Sequence, residues 1–403
     1  MENTQNTLGP GRRHGRWLGR WQGRWKLAAL GAALAFCAAT AAAQSIPLAG
    51  PVVKSERATF RVTQVTGNLQ YPWGLAFLPD GRMLVTERPG RLRLIGADGK
   101  LDPRAIEGIP KVAASGQGGL LDVAVHPRFA ENGWVYLSFA GSDGDGASTE
   151  VVRGRLDGQR LQDVQTLFRM LPRSSGGRHF GSRLVFDAKG LLYITLGDRG
   201  EMERAQRMDD HAGSVIRLHD DGRVPADNPF VKTPGARPEK FTLGNRNMQG
   251  AAIHPVTGEL WTHEHGPQGG DEVNVMRAGR NYGWPVITHG VNYGIGTRIG
   301  EGTSRPGMEQ PLKIWIPSIA PSGMAFYAGK AFQGWSGNLL VGALRGESLH
   351  RLELDGEKVV REEVLLKSQV GRIRDVRVGP DGLVYLLTDE RAGQLLRLEP
   401  LPR

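Results

Sequence analysis

Between Leu243 and Pro285 the chain reads LGNRNMQGAAIHPVTGELWTHEHGPQGGDEVNVMRAGRNYGWP. An Arg246-Asn247 pair, a His-Glu-His-Gly-Pro run, two adjacent acids (Asp271, Glu272) and an Asn-Tyr-Gly-Trp-Pro turn share this one stretch. His263 and His265 alternate, so on a strand they occupy one face and leave Glu264 on the other. Two such imidazoles make half of a zinc site, but no third ligand is evident. The alternative is an oxygen site. Backbone carbonyls of the Gly266-Pro267 corner, the carboxylates of Asp271 and Glu272 and the Asn281-Tyr282 turn are hard donors at flexible spacing, which favours Ca²⁺ over a transition metal. Away from this stretch, His179 in GRHFGSR suits a general base because imidazole titrates near neutrality, and the adjacent Arg178 disfavours its protonated form. The competing reading is a histidine that caps a turn. Arg246, Arg345, Arg372 and Arg374 suit a ligand with several carboxylates or phosphates, since the guanidinium fork pairs with such groups bidentately; otherwise they are surface arginines. Arg372 and Arg374 alternate and so point the same way. Asp143 and Asp145 in GSDGDGAS read as a solvated loop.

The elements that must position these residues are short strands. Fifty-seven glycines, Pro-Asp-Gly turns and almost no long amphipathic helix indicate an all-β chain. One unit recurs: a Gly- or Ser-bearing entry, an apolar strand, a turn and a second apolar strand. Its copies are WGLAFLPDGRMLVTER from Trp73, GLLDVAVHPRFAENGWVYLSFA from Gly119, GSRLVFDAKGLLYITLGDRG from Gly181, QGAAIHPVTGELWTHEHG from Gln249, SGMAFYAGKAFQGWSGNLLVGAL from Ser322 and RDVRVGPDGLVYLLTDE from Arg374. Hairpins repeated at such spacing, with loops between them, predict a six-bladed β-propeller, with residues 44–403 as one domain. Segments 59–65 and 394–398 flank the array and are expected to close the ring in a shared blade. A β-sandwich, or two stacked β-domains, is the lesser alternative. A propeller gathers its strand entries at one channel mouth, so Gln117, His179, Arg246, Asn247, Arg372 and Arg374 are expected to converge on a single axial site.

The N-terminus reads as a leader. Residues 12–26 interleave arginine with tryptophan and glycine, and the apolar, Ala-rich run 27–43 ends in small residues, as in a secretory signal peptide (residues 1–43). A membrane anchor is the alternative, since the run approaches the shortest span. The leader contains six of the 51 basic residues, one of the 41 acidic ones and the only cysteine, Cys37. Its removal leaves 45 basic and 40 acidic residues, so a net charge of +10 becomes +5. The remainder has no disulfide, thiol nucleophile or thiolate ligand, no basic block that would suit nucleic acid, and no expected membrane span. A periplasmic or secreted protein is expected.

Taken in order, the motifs PWGLAFLPDGRMLVTERPG, GQGGLLDVAVHP, HFGSRL, LGNRN-QG, EHGPQGGDEVN, NYGWP, SGMAFY and RIRDVRVGPDG-VYLLTDE resemble those of the soluble aldose sugar dehydrogenases. That family is related to soluble quinoprotein glucose dehydrogenase and uses pyrroloquinoline quinone (PQQ). The resemblance spans nearly all of residues 44–403. It implies a six-bladed propeller with PQQ and Ca²⁺ as cofactors that oxidises an aldose at C1 to the lactone and passes electrons to an acceptor left unidentified. It implies His179 as the general base, hydride transfer to PQQ, and Arg246 with Asn247 at the cofactor and the reacting oxygen. The carbonyls of Gly266 and Pro267 fall on the ligands of the calcium that bridges to PQQ. Gln117, Asp198, Tyr293, Arg372 and Arg374 fall on positions lining the cofactor pocket, and Glu272 with the Tyr282 backbone on a structural calcium site. Two positions depart from the family: Arg345 stands where a PQQ-contacting lysine is usual, and Met248 where proline is. A calcium-dependent propeller lactonase, or a propeller that only binds partners, is the rival reading.

Overall fold

The computed structural model describes residues 49–144 and 146–402. The leader expected at residues 1–43, and Asp145, lie outside the described residues. Within them no helix is long and apolar enough to cross a membrane; helical structure is limited to one turn (Phe129–Asn132) and two short 3₁₀ segments.

Each repeat read from the sequence forms the first two strands of one blade. The pairs are Pro72–Phe77 with Met83–Glu87, Leu120–Val125 with Trp134–Ser142, Leu184–Phe186 with Leu192–Thr195, Met248–Ile253 with Leu260–Glu264, Pro321–Phe326 with Leu339–Ala343, and Ile373–Val378 with Val384–Thr388. Numbered in that order, blades 1, 2, 4 and 5 have four strands, blade 3 has three and blade 6 has five. The inner strands touch in sequence around the ring, and that of blade 6 touches that of blade 1. The result is a six-bladed β-propeller. Closure is as expected: Thr59–Leu69 pairs antiparallel with Gly393–Pro400 in blade 6, with Phe60 opposite Pro400. Ala49–Lys54 extends that blade by one strand.

The alternating apolar residues of each hairpin account for how the blades stack. Six buried apolar clusters each bridge two neighbouring blades; Leu84, Leu92, Val123 and Leu137 join blades 1 and 2, while Leu75, Val85, Leu387 and Leu395 join 6 and 1. The largest, between blades 5 and 6, is built on Phe60, Phe332 and Trp335, with Phe332 and Trp335 stacked at 4.4 Å. Each such side chain contributes about 1.5–3 kcal/mol on burial, so the blade interfaces dominate stability. Buried hydroxyls tie the blades at their inner ends: Ser138 Oγ donates to Ser182 O at 2.7 Å, Thr195 Oγ1 to Met248 O at 3.1 Å and Ser322 Oγ to Ile373 O at 2.6 Å.

Charge fills the axis below this ring of hydroxyls. Arg183, fully buried, reaches Asp122 at 3.1 Å and Asp375 at 3.0 Å, and donates through Nε to Gln249 O at 2.7 Å. Arg377 pairs with the same two carboxylates at 2.8 and 2.9 Å. Glycine in the WGLAF and SGMAF entries now has a reason. A Cβ on Gly74 would lie 2.6 Å from Asp122 Oδ1, and one on Gly323 2.3 Å from Asp375 Oδ1. Only glycine leaves room there for the aspartate of the next blade.

Candidate active site

Above the ionic plug lies an axial cavity of about 300 Å³. Strand entries of several blades supply its wall: Trp73 and Arg88 from blade 1, Gln117 before blade 2, Phe180 before blade 3, Asn247, Gln249 and His265 from blade 4, and Arg372, Arg374 and Asp389 from blade 6. Of the six residues expected to converge, His179 and Arg246 are not among those that line this cavity, and Arg246 borders a second, smaller one, whereas Gln117, Asn247, Arg372 and Arg374 line it. The last two meet at one carboxylate, with Arg372 3.1 Å and Arg374 3.0 Å from Asp389 Oδ2. Burial works to raise the Asp389 carboxyl, but the two arginines outweigh it and hold it below its ordinary range.

His179 is buried at the edge of this wall, next to Phe180. Its backbone is left-handed (φ 55°), a conformation unusual for a residue with a side chain. Neighbouring contacts hold it there. Its N–H donates to Gln117 Oε1 at 2.7 Å, and its carbonyl abuts Gly197, where a Cβ would lie 2.0 Å away. Arg199 clamps the same loop, donating to Gly176 O and Arg178 O with its guanidinium 3.4 Å from the Phe180 ring centre.

His179 Nδ1 lies 2.6 Å from Asp198 Oδ1. A carboxylate accepts, so Nδ1 carries the proton and Nε2 keeps its lone pair. Burial lowers the imidazole below its ordinary value, Asp198 opposes that shift, and Arg246 and Arg178 add to it. Burial also acts to raise Asp198, but the bond from His179, the Gly200 N–H at 2.7 Å and the nearby Arg246 hold it lowered. The arrangement, an imidazole held through Nδ1 by a buried carboxylate with its pKa lowered, leaves a lone pair at Nε2 of the kind that can accept a proton. The resemblance placed Asp198 on the cavity lining; it is not among the residues that line the cavity and stands instead behind His179, on a turn that follows the second strand of blade 3 and points its carboxylate at the imidazole.

Arg246 and Asn247 enter blade 4 on a turn held by Glu264. That buried carboxylate accepts from Asn245 Nδ2 at 2.9 Å, from Arg246 N, and from Asn247 N at 3.3 Å. Arg246 Nη1 donates to His265 O at 3.1 Å, its guanidinium carbon lies 5.3 Å from the Trp284 ring centre, and its buried Nε has no hydrogen-bond partner. Arg374 Nε is orphaned in the same way. His265 Nε2 sits 2.7 Å from Pro321 O, and burial holds the ring neutral, with a pKa lowered to about 3. His263 is buried with both ring nitrogens unpartnered, and among the described residues no cluster of three or more His, Cys, Asp or Glu could hold a metal. The zinc reading has no geometry to support it.

Oxygen donors fare better. Glu264 and Glu272 face each other across paired strands and, with Arg246, Gly266, Tyr282 and Trp284, line a second cavity of about 10 Å³, room for one water-sized sphere. Neither glutamate is in an ion pair among the described residues. Burial raises both, Glu264 to about 7 and Glu272 to about 8, the latter also through repulsion from Glu264. Two carboxylates held together without a cation suit a hard divalent ion. No described donor is paired with the carbonyl of Gly266 or Pro267, which leaves both oxygens available as ligands.

Two expected residues stand apart from the cavity. Tyr293 is 67% exposed on a turn closed by Asn292 N–H to Thr297 O at 2.8 Å and anchored by Gly294 N–H to Gln268 Oε1 at 2.9 Å. Tyr293 is not among the residues that line the cavity. Arg345 is exposed where the turn after Leu339–Ala343 leaves the sheet, and only its neighbour Leu344 reaches the wall. For the PQQ that the resemblance implies, Arg345→Lys is accordingly expected to leave affinity, measured by absorption titration, unchanged or improved; a tenfold loss would give Arg345 a contact of its own. Sequence reasoning missed Trp73, Gln249, Trp284 and Asp389. Asp389 was findable, since it follows Thr388, which is paired in register with Ile373 between the two arginines.

Residues 69–397 match the Glucose / Sorbosone dehydrogenase family. Aldose sugar dehydrogenase YliI of Escherichia coli is 46% identical over 349 residues, covering 85% of this chain and 94% of that protein. Quinoprotein glucose dehydrogenase B of Acinetobacter calcoaceticus is 28% identical over 421 residues, covering 83% and 87%. The PQQ-bound aldose sugar dehydrogenase of Streptomyces coelicolor superposes with a TM-score of 0.71 at 29% identity, covering 88% of this chain and all of that one.

Proposed function

We propose, from the premise that this chain belongs to the Glucose / Sorbosone dehydrogenase family, that it is a PQQ- and calcium-dependent dehydrogenase oxidising aldoses at C1 to the lactone. The observation that carries the reading is the His179–Asp198 pair at the edge of an arginine-rich cavity lined by Arg374, whose Nε lacks a partner, with Arg246, whose Nε also lacks one, on the adjoining small cavity. Those donors, with Arg88 and Arg372, suit a flat polycarboxylate, and Trp73 and Phe180 offer it aromatic surface. Gly266 and Pro267 would hold the calcium beside it, and Glu272 with Glu264 and Tyr282 a second ion. When bound, PQQ would supply the two-electron acceptor for the C1 hydride and calcium the Lewis acid that sharpens it.

The chain's own residues do the rest. His179 Nε2 accepts the proton of the C1 hydroxyl as the C–H bond breaks, so negative charge does not build on the sugar oxygen. Asp198 holds the imidazole by Nδ1 and stabilises the imidazolium that forms. Arg246, beside His179 and pinned to the His265 carbonyl, offers cationic donors to charge developing opposite the base. Asn247, fixed by Gly181 N–H at 3.2 Å, orients polar groups at the same wall. The electrons then pass to a separate, unidentified acceptor. The leader expected at residues 1–43 supports a periplasmic or secreted location.

Apo protein given PQQ and Ca²⁺ is expected to reduce a redox dye with aldoses, and sugar is expected to change the absorption of the bound quinone. Lactone hydrolysis that needs no PQQ, with no dye reduction by any aldose, would replace this reading with a hydrolase.

A further inference from the structure

We propose that Trp284 is a positioning residue for the base: its indole N–H fixes the outer oxygen of Asp198 and, through Asp198, the tautomer and basicity of His179. The inference rests on the reading of His179 as the base. Trp284 Nε1 donates to Asp198 Oδ2 at 2.8 Å, while Oδ1 takes His179 Nδ1 at 2.6 Å and Gly200 N–H at 2.7 Å. With both oxygens held, the carboxylate cannot rotate, and its plane fixes which imidazole nitrogen is protonated. Partners that orient a histidine in this way tune its basicity as well as its direction.

The indole is itself held from several sides. It packs in a buried cluster with Ala205 and Ile299; its backbone N–H donates to Gly244 O at 2.8 Å, and its carbonyl accepts from Gln206 Nε2 at 2.7 Å. The Arg246 guanidinium lies near its ring, a favourable cation–π contact. One side chain therefore touches both the carboxylate that holds the base and the Arg246 guanidinium. It comes from the long excursion between the third and fourth strands of blade 4, Asp271–Met276 and Lys313–Trp315, and its contact with Asp198 spans 86 residues of sequence.

The charged and titratable groups facing His179 are Asp198, Arg246, Arg178 and the neutral His265. Deleting the indole N–H leaves the Asp198 carboxylate one donor short in a buried setting. Its charge is then less dispersed and attracts an imidazolium more strongly, so the His179 midpoint moves upward.

Two measurements on ligand-free protein test this without reference to activity. In the unaltered chain, the Trp284 Nε1–H resonance should shift with the same pH midpoint as the His179 ring. In Trp284→Phe, which keeps the aromatic bulk, the His179 midpoint should rise by about 0.5–1 pH unit. In the PQQ- and Ca²⁺-loaded protein, the acid limb of kcat should move up with it while KM for the sugar stays within about twofold. An indole resonance that ignores the titration of His179 overturns the proposal even if Trp284→Phe does not fold. An unmoved His179 midpoint in folded Trp284→Phe also overturns it. Failure of sugar oxidation in the unaltered chain would instead sink the dehydrogenase reading and leave these two NMR results standing.

Discussion

His179→Ala is expected to lower kcat for aldose oxidation about 10²–10⁴-fold, the usual contribution of a positioned general base, with PQQ affinity changed only slightly. The split follows from the geometry. His179 sits at the cavity edge on the Asp198 carboxylate, whereas the orphaned donors suited to a polycarboxylate belong to Arg246 and Arg374. The pH dependence has a definite sign. Proton abstraction needs the neutral imidazole, and burial with Arg246 and Arg178 keeps that form populated below the ordinary histidine range. Activity in the unaltered enzyme should therefore persist as pH falls past 6.5, and should be lost only as pH drops through the lowered His179 value. In His179→Ala that acid limb should vanish along with the rate. A loss below tenfold, or an unchanged acid limb, would move the base elsewhere. The rival propeller that only binds partners predicts no effect of this substitution on its function.

Arg183→Met is expected to cost about 3–5 kcal/mol of stability, as breaking a buried ion network from one side does. Arg183 has no solvent to fall back on, and neither do its partners: Asp122 and Asp375 are both fully buried. Its removal leaves two carboxylates to one arginine, Arg377, and frees the carbonyl of Gln249 and that of Arg374, which accepts from Arg183 Nη2 at 3.3 Å. It also removes the guanidinium 4.2 Å from the Trp73 ring, on the cavity floor. Against a typical total of about 5–15 kcal/mol, the loss is severe. The urea midpoint should fall sharply with the slope unchanged, because the same surface is exposed on unfolding. A loss under about 1 kcal/mol would mean that Arg377 alone neutralises the axis.

The blades were legible because strand alternation is a local signal. WGLAFLPDGRMLVTER and RDVRVGPDGLVYLLTDE state their own hairpins, and the closing strands were visible as flanking apolar runs. Gln117, Asn247, Arg372 and Arg374 could be expected to line one cavity, as they do, because a propeller turns equivalent repeat positions into neighbours. What the sequence hid were contacts with no periodicity. Nothing near Asp198 marks Trp284 as its partner, and nothing in GSRL or RDVRV announces that Arg183 and Asp375 meet on the axis. Glu264 was read only by its place beside the two histidines, and its role in bonding the Arg246–Asn247 turn depends on strand pairing. Tyr293 differs: its matching motif position is exposed and not among the cavity's lining residues, and no local pattern in the sequence signals that.

Blade 6 has a bearing on how the molecule comes into being. The strand Thr59–Leu69 is among the first made, yet its neighbour Gly393–Pro400 is the last. Until blade 6 emerges and its last described strand pairs with Thr59–Leu69, five blades form an open arc whose two end faces, including Leu75 and Val85 on one side and Tyr327 and Leu340 on the other, lack the cover that blade 6 supplies. Bringing such distant segments together is slow, although the entropic penalty grows only with the logarithm of the intervening length. A nascent or shortened chain is therefore a sticky crescent prone to aggregation, not a smaller enzyme.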